Sequence, residues 1–175
     1  MGLLGGAAWF MFSELNLSLN PEKAEEVAHS MMDYELPGAA KGVMSSPDLM
    51  GAEVAVVQSL RADNTTTLML GKIPPAAQDA WGTEPADFLD IFNDEEIFSV
   101  NEIEIKSTVV EERSLCEETA TVRLSEGTEA FTNDPATVYE AIFLKDGFIY
   151  LVSLSATGTD HATKAEQVFG TLNCQ

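Results

Sequence analysis

The sequence is poor in positive charge. Lys and Arg total 9 against 29 Asp and Glu, so the formal net charge is −20 over 175 residues. A surface of this sign repels phosphate backbones and anionic lipid headgroups, which excludes nucleic acid as a preferred partner. Basic protein surfaces and cations are attracted to it. A protein partner is therefore possible and nucleic acid is not expected, and the alternative is that the charge only keeps the protein soluble or suits it to a salty medium. The charge does not predict the oligomeric state.

Cysteine is also scarce, with only Cys116 and Cys174. They form no CxxC pair, and with two histidines in the chain there is no zinc-type cluster. If the domain is exported, the two cysteines can pair and close a loop of about 60 residues, worth on the order of 4 kcal/mol by loop entropy. Two independent thiols are the alternative.

Signatures of catalysis are missing from the sequence. There is no G-x-S-x-G elbow, no HExxH motif and no Gly-rich phosphate loop. His29 and His161 stand apart from any such motif, and we expect both to be structural. We predict no catalytic residue and no cofactor.

One acidic stretch, "DFLDIFNDEE", has the composition of a cation site, and its candidate ligands are Asp87, Asp90, Asp94 and Glu95. Calcium needs several oxygen ligands that converge from a loop. The stretch lacks the D-x-[DN]-x-[DN]-G spacing, so we expect a solvated helix face and no metal; a divalent-cation site is the alternative.

The first 12 residues contain no side chain that carries charge at neutral pH. As a helix the run 2–12 would rise about 16 Å, too short for a hydrocarbon core of about 30 Å. No Lys or Arg precedes it and no A-x-A site follows it, so it is not a cleavable signal. We expect residues 1–19 to be the end of a membrane anchor and a linker, followed by one domain over residues 20–175. The alternative is an apolar N-terminus that is disordered or packs on the domain.

The first half of that domain has the sequence signals of two helices with a hairpin between them. Asn20 and Pro21 predict the start of a helix. After it we expect a short extended piece at Tyr34–Pro37, a loop over 38–50, a hairpin formed by "AEVAVVQSL" and "TTLMLGKIP", and a second helix over "EPADFLDIFNDEEIF". The loop 38–50 and Trp81 are candidate contact points for a partner; packing on the domain's own core is the alternative.

The second half alternates with a period of two. "VNEIEIKSTVV" predicts a strand with Ile103, Ile105 and Val109 on one face, and "EERS" predicts the next turn. "VYEAIFLKDGFIYLVSLSA" is a hairpin around Asp146-Gly147, apolar enough to be central in a sheet. A final helix follows Thr159-Asp160. We predict an α+β fold, with an antiparallel sheet of five to seven strands packed against two or three helices.

This order of elements resembles PsbP-type and DcrB-like exported α+β domains, and also uncharacterised membrane-tethered exported proteins of bacteria. The matching parts are "YELP", the "AEVAVVQSL…TTLMLGKIP" hairpin and the closing "FIYLVSLSA…AEQVFGTL" unit. The resemblance implies a fold and an exported location, and transfers no functional residue.

Two classes of function follow from these observations. The first is a non-catalytic accessory or protein-interaction domain, tethered at its apolar N-terminus on the extracytoplasmic side of a membrane, in the periplasm or at the cell surface; a secreted domain is the alternative location. The second is a domain that binds a small ligand or divalent cation, or a carboxylate-based hydrolase. Fold alone does not choose between them.

Overall fold

A seven-stranded antiparallel sheet dominates the molecule in the computed structural model. The structure describes residues 19–49, 51–61, 64–81 and 103–175. The strands in chain order are β1 Met32–Asp33, β2 Ala40–Leu49, β3 Ala52–Arg61, β4 Asn64–Ile73, β5 Ile103–Leu115, β6 Glu118–Glu129, β7 Pro135–Lys145, β8 Phe148–Gly158 and β9 Asn173–Cys174. The helices are α1 Pro21–Met31, α2 Pro75–Trp81 and α3 His161–Thr171. The predicted α+β class is confirmed.

The sheet consists of two meanders joined in the middle. Its strand order is β2-β3-β4-β8-β7-β6-β5, so β2–β4 and β5–β8 each run as consecutive antiparallel neighbours. The β7–β8 hairpin turns at Asp146 and Gly147, whose φ angles of 53° and 82° fit the predicted type I′ turn. Both strands are buried along nearly their whole length, as their apolar runs predict.

One face of the sheet, the helix face, carries α1 and α3. α1 packs on β2 and β3, and α3 packs on β7 and β8. The main core lies between, formed by Met31 and Phe169 from the helices and by Leu68, Val122 and Leu154 from the strands. Asn20 accepts a hydrogen bond from the Lys23 amide, so it caps α1 as predicted. Asp160 precedes α3, but its side chain makes no capping bond.

The opposite face, called here the second face, has two smaller apolar clusters. Ala77 of α2 packs with Ile73 and Leu151 in one of them, and Ile103 packs with Val138 in the other. The sequence patterns did not predict helix α2, which begins at Pro75, a residue type favoured at the first position of a helix.

Strand β5 differs from its prediction in two ways. A bulge between Ile105 and Ser107 shifts the register, so Ile105 lies opposite Gly127 and Val109 lies opposite Leu124. Since positions 124 and 127 face opposite sides of β6, Val109 does not share a face with Ile105. The predicted turn at "EERS" is also wrong: β5 continues to Leu115, and the chain turns at Cys116 and Glu117, whose φ angles are 57° and 67°.

The predicted loop over 38–50 is wrong for most of its length, because β2 occupies residues 40–49 and pairs with β3. Pairing with a strong neighbouring strand satisfies its backbone despite irregular composition and two register shifts. The predicted extended piece at Tyr34–Pro37 is displaced as well: the short strand is Met32–Asp33, which pairs with β9.

Several expectations fall on residues outside the described ranges. They include the apolar run 1–12, the second helix over residues 84–98 and the acidic candidates Asp87, Asp90, Asp94 and Glu95. In the described part of the chain, no helix is both long enough and apolar enough to span a bilayer.

Candidate functional site

The outer strand β5 is the most exposed regular element that the structure describes. It spans 13 residues and lies at the end of the strand order, with β6 as its neighbour in the described sheet. Val109 and Val110 are adjacent at its centre and keep 57% and 55% of their surface exposed. One valine points to each face of the sheet, so the strand presents apolar surface on both sides of its outer edge.

Arg113 fixes the far end of β5 to the body of the molecule. Its Nη1 atom lies 2.9 Å from both carboxylate oxygens of Glu166 in α3, and its Nε donates to Glu111. The guanidinium also stacks over the rings of Tyr139 and Phe169, at 5.2 and 5.6 Å from their centroids. Because a planar guanidinium supplies both contacts at once, β5 is held by charge and by ring packing.

The same cluster shifts three pKa values. The hydrogen bonds that Tyr139 and Arg113 donate lower the pKa of Glu166. Burial, followed by the bond to Glu166, raises the pKa of Tyr139 to about 12. Partial burial opposes the charge of Arg113, but its hydrogen bonds to Glu166 and Glu111 outweigh this and raise its pKa. Glu166 therefore remains a carboxylate and Tyr139 a phenol throughout the physiological range.

The turn between β6 and β7 presents an exposed aromatic ring. Phe131 keeps 80% of its surface exposed. Around it the Glu129 amide donates to the Asp134 carbonyl at 2.9 Å, the Asn133 amide to the Glu129 carbonyl at 2.9 Å, and the Thr132 amide to the Glu129 carboxylate at 2.7 Å. The ring thus stands on a turn that its own hydrogen bonds hold in place.

A cleft of about 350 Å³ opens at the same end of the sheet. It is lined by Asp134, Pro135, Gly158, Thr159, Asp160 and His161. The Nδ1 atom of His161 lies 2.7 Å from the Thr137 hydroxyl, which fixes the imidazole. The opening is shallow, and the described residues contain no group of three His, Cys, Asp or Glu side chains that could hold a metal ion.

A polar row crosses the second face. Arg123 and Glu140 are direct cross-strand neighbours on β6 and β7, with Nη1 and Oε2 3.5 Å apart and side chains 8% and 5% exposed. Ser153 of β8 lies opposite Glu140 and is buried. A one-residue slip of β6 against β7 would separate the two charges, so the ion pair specifies register.

The structure places the predicted cysteines together. Cys116 and Cys174 form a disulfide with Cα atoms 5.1 Å apart, which links the β5–β6 turn to β9. The histidines are apart: His29 stacks on Tyr34 with centroids 4.4 Å apart, and His161 lies at the cleft. The two candidate contact points for a partner have different outcomes. The side chain of Trp81 lies outside the described residues, whereas the segment predicted as a loop over 38–50 forms most of β2, in which Met44 is half-buried.

Sequence reasoning missed Phe131, Arg113 and the exposure of Val109 and Val110. A signal for Phe131 exists: a lone aromatic in "GTEAFTNDP", among residues typical of turns. Apart from Glu111, two positions away, the partners of Arg113 are 26 or more positions distant in β7 and α3, so no local signal marks the cluster.

No family model matches the chain, and neither does any curated protein. Among solved structures the chain is similar to LpqN, a protein involved in cell envelope biogenesis of Mycobacterium tuberculosis, with a TM-score of 0.42, 13% identity and coverage of 81% of this chain and 82% of that chain. A match this distant transfers no function, and the narrower likeness to PsbP-type and DcrB-like domains stays a prediction.

Proposed function

We propose that this chain is a non-catalytic protein-interaction domain on the extracytoplasmic side of a membrane, and that it binds an extended segment of its partner along the outer edge of β5. The observation that carries the proposal is the pair Val109 and Val110, each more than half exposed on an outer strand. β-branched side chains at such an edge give an added strand apolar contacts on both faces.

Strand addition uses the backbone as well as the valines. Alternate N–H and C=O groups of an outer strand point away from its neighbour and are ready to pair with another chain. Main-chain hydrogen bonds then supply affinity, and side chains on either face supply selectivity. Arg113 supports this use, because it holds β5 to α3 and so limits the ordering that binding would require.

The proposed location is supported by the disulfide between Cys116 and Cys174, since such bonds persist in oxidising compartments. The apolar run 2–12 is the segment that would tether the domain. No observation on the described residues favours the alternative of a cation-binding or hydrolytic domain.

The test uses the full chain and a display library of random, uncharged ten-residue peptides. We expect selected peptides to slow hydrogen exchange of β5 amides while those of β2 are unchanged. The double variant Val109→Asn/Val110→Asn should weaken binding about tenfold, because it removes the apolar contacts without adding charge. Peptides that protect a different element, or that bind the double variant as well as the native chain, contradict the proposal.

The matched control is Leu144→Asn. Leu144 is 43% exposed but lies on β7, which has neighbours on both sides, so its replacement removes similar apolar surface away from any edge. Its peptide affinity should equal that of the native chain.

A further inference from the structure

We propose that the partner segment bound by β5 is basic. One of its Lys or Arg side chains contacts the ring of Phe131 and the carboxylates of the β6–β7 turn. The inference rests on the proposed function, because it names the chemistry of the partner at that same edge. Three observations carry it: the position of the turn, its rigidity and its charge.

The turn stands at the N-terminal end of the β5 edge. Ile103, the first residue of β5, lies opposite Glu129, the last residue of β6, and Phe131 follows two residues later. From Ile103 to Val110 an added strand needs roughly 23 Å, or about seven residues at 3.3 Å each. A ten-residue segment that covers the valines therefore ends level with the turn. It lies about two strand spacings, or roughly 10 Å, outside β6, so a long Lys or Arg side chain has to cross β5 to contact the turn.

The turn is organised before any partner binds. Its hydrogen bonds join Glu129 to Asn133 and Asp134 through the backbone and to Thr132 through the carboxylate, and the Asp134 amide donates to the Thr132 hydroxyl at 3.2 Å. These bonds hold the backbone that carries Phe131, whose side chain is 80% exposed. An ordered backbone at the binding surface lowers the ordering cost of binding.

The charge of the turn segment itself is of one sign, and Lys106 in the β5 bulge is the basic residue that β5 brings to this end of the sheet. The segment 126–134, "EGTEAFTND", contains Glu126, Glu129 and Asp134 and no Lys or Arg. Hydrogen bonds from the Thr132 side chain and amide lower the pKa of Glu129, so its carboxylate stays ionised. A cation over an aromatic face is attracted by the ring as well as by these carboxylates. The net charge of −20 draws a basic segment towards the domain and opposes pairing with a second copy.

The experiment compares two ten-residue peptides of alternating Thr and Val, identical except that one carries Arg at its first position and the other carries the neutral isostere citrulline. A second pair carries Arg or citrulline at its last position instead. Both pairs are needed because an added strand can run in either direction along β5, which brings either its first or its last residue to the turn. We expect the Arg peptide of one pair to bind the full chain about fivefold more tightly than its citrulline twin, and the ratio to shrink at high salt.

Variants assign the effect to the turn. Phe131→Leu keeps an apolar side chain without an aromatic face, and Glu129→Gln keeps an oxygen that accepts from Thr132 without the charge. Each should bring the Arg-to-citrulline ratio towards one, whereas Leu144→Ala, at the other end of β7, should leave it unchanged. The Arg peptide should also shift the amide resonances of residues 130–134.

The outcomes separate the two proposals. If both twins protect β5 equally and bind equally, the partner chemistry is overturned and the edge-binding function stands. If neither twin protects β5, both are overturned. Concentration-dependent dimerisation of the native chain that Phe131→Ala abolishes would also overturn the inference, because the ring would then serve a second copy of this chain.

Discussion

The hydroxyl of Tyr139 is bound to the carboxylate of Glu166, which also accepts both hydrogen bonds from Arg113. Two side chains, one from β5 and one from β7, thereby share one carboxylate of α3. Glu166 is more than half exposed, so the ion pair itself contributes little to stability in water. Its effect is positional: it sets where β5 lies relative to α3, the helix that carries both Glu166 and Phe169.

Tyr139 and Tyr34 should make the domain sensitive to alkali. Burial is the main cause that raises the pKa of each to about 12, against an ordinary value of 10.0. Between pH 10 and 12 the unfolded chain loses these protons while the folded chain keeps them, so the free energy of unfolding should fall as pH rises. Urea midpoints measured from pH 9 to 11.5 test this.

Tyr139→Phe and Tyr34→Phe should each flatten that dependence, because neither variant can release the proton. A native chain whose urea midpoint does not change between pH 10 and 11.5 would contradict the expectation, as would variants with the same slope as the native chain.

At the scale of elements, close approach of a helix to a strand is visible at Gly42. A Cβ at this position of β2 would lie 2.0 Å from the Pro21 carbonyl oxygen and 2.8 Å from the Ala24 Cβ, both in α1. Gly42 also donates its amide to the Glu25 carboxylate at 2.8 Å. The glycine is therefore what allows α1 to rest against the β2 backbone.

Gly42→Ala should lower the free energy of unfolding by about 1–3 kcal/mol, since the clash is with backbone that cannot move aside. Gly170→Ala is the matched control: nothing lies within 4 Å of its added Cβ in α3, so the same chemical change should stabilise by up to about 1 kcal/mol. Chemical denaturation measures both. Equal effects of the two substitutions would show that the α1–β2 contact does not matter.

One bulge in β5 changes which residues face each side of the sheet. With a regular strand, Val109 would share a face with the buried Ile103; with the bulge at Lys106, it lies on the opposite face and is exposed. Val109 and Val110 lie on opposite faces with or without the bulge, because adjacent residues of a strand alternate. The bulge decides which face each valine occupies: Val109 lies beside Leu124 on the helix face, and Val110 lies beside Arg123 on the second face.

At the scale of the whole molecule, one disulfide closes the arrangement. Cys174 sits in β9, which pairs with β1, and Cys116 sits at the end of β5, so the bond ties the C-terminal strand to the outer hairpin. The Lys145 ammonium donates to the Cys116 carbonyl at 2.9 Å, which holds the same turn against β7.

We expect no thiol to react with a thiol reagent in denaturant before reduction, and two to react after it. The free energy of unfolding of the variant Cys116→Ser/Cys174→Ser should be about 4 kcal/mol lower than that of the native chain, because the unfolded variant regains the entropy of a long loop. Two reactive thiols without reductant in the native exported chain would contradict the bond and remove the support it gives to the proposed location.

The sequence by itself determined the elements whose signals are local: the capped start of α1, the Asp146-Gly147 turn, the buried strands beside it and hence the α+β class. These depend on neighbours along the chain, so periodicity and turn chemistry suffice. It could not determine strand β2, the turn at Cys116, the bulge in β5 or the Arg113 cluster. In each case the deciding contact is with a partner strand or helix, and its energy outweighs local propensity. The candidate site belongs to this second group, because whether a valine lies in the core or on an open edge is decided by which strands pair and in what register.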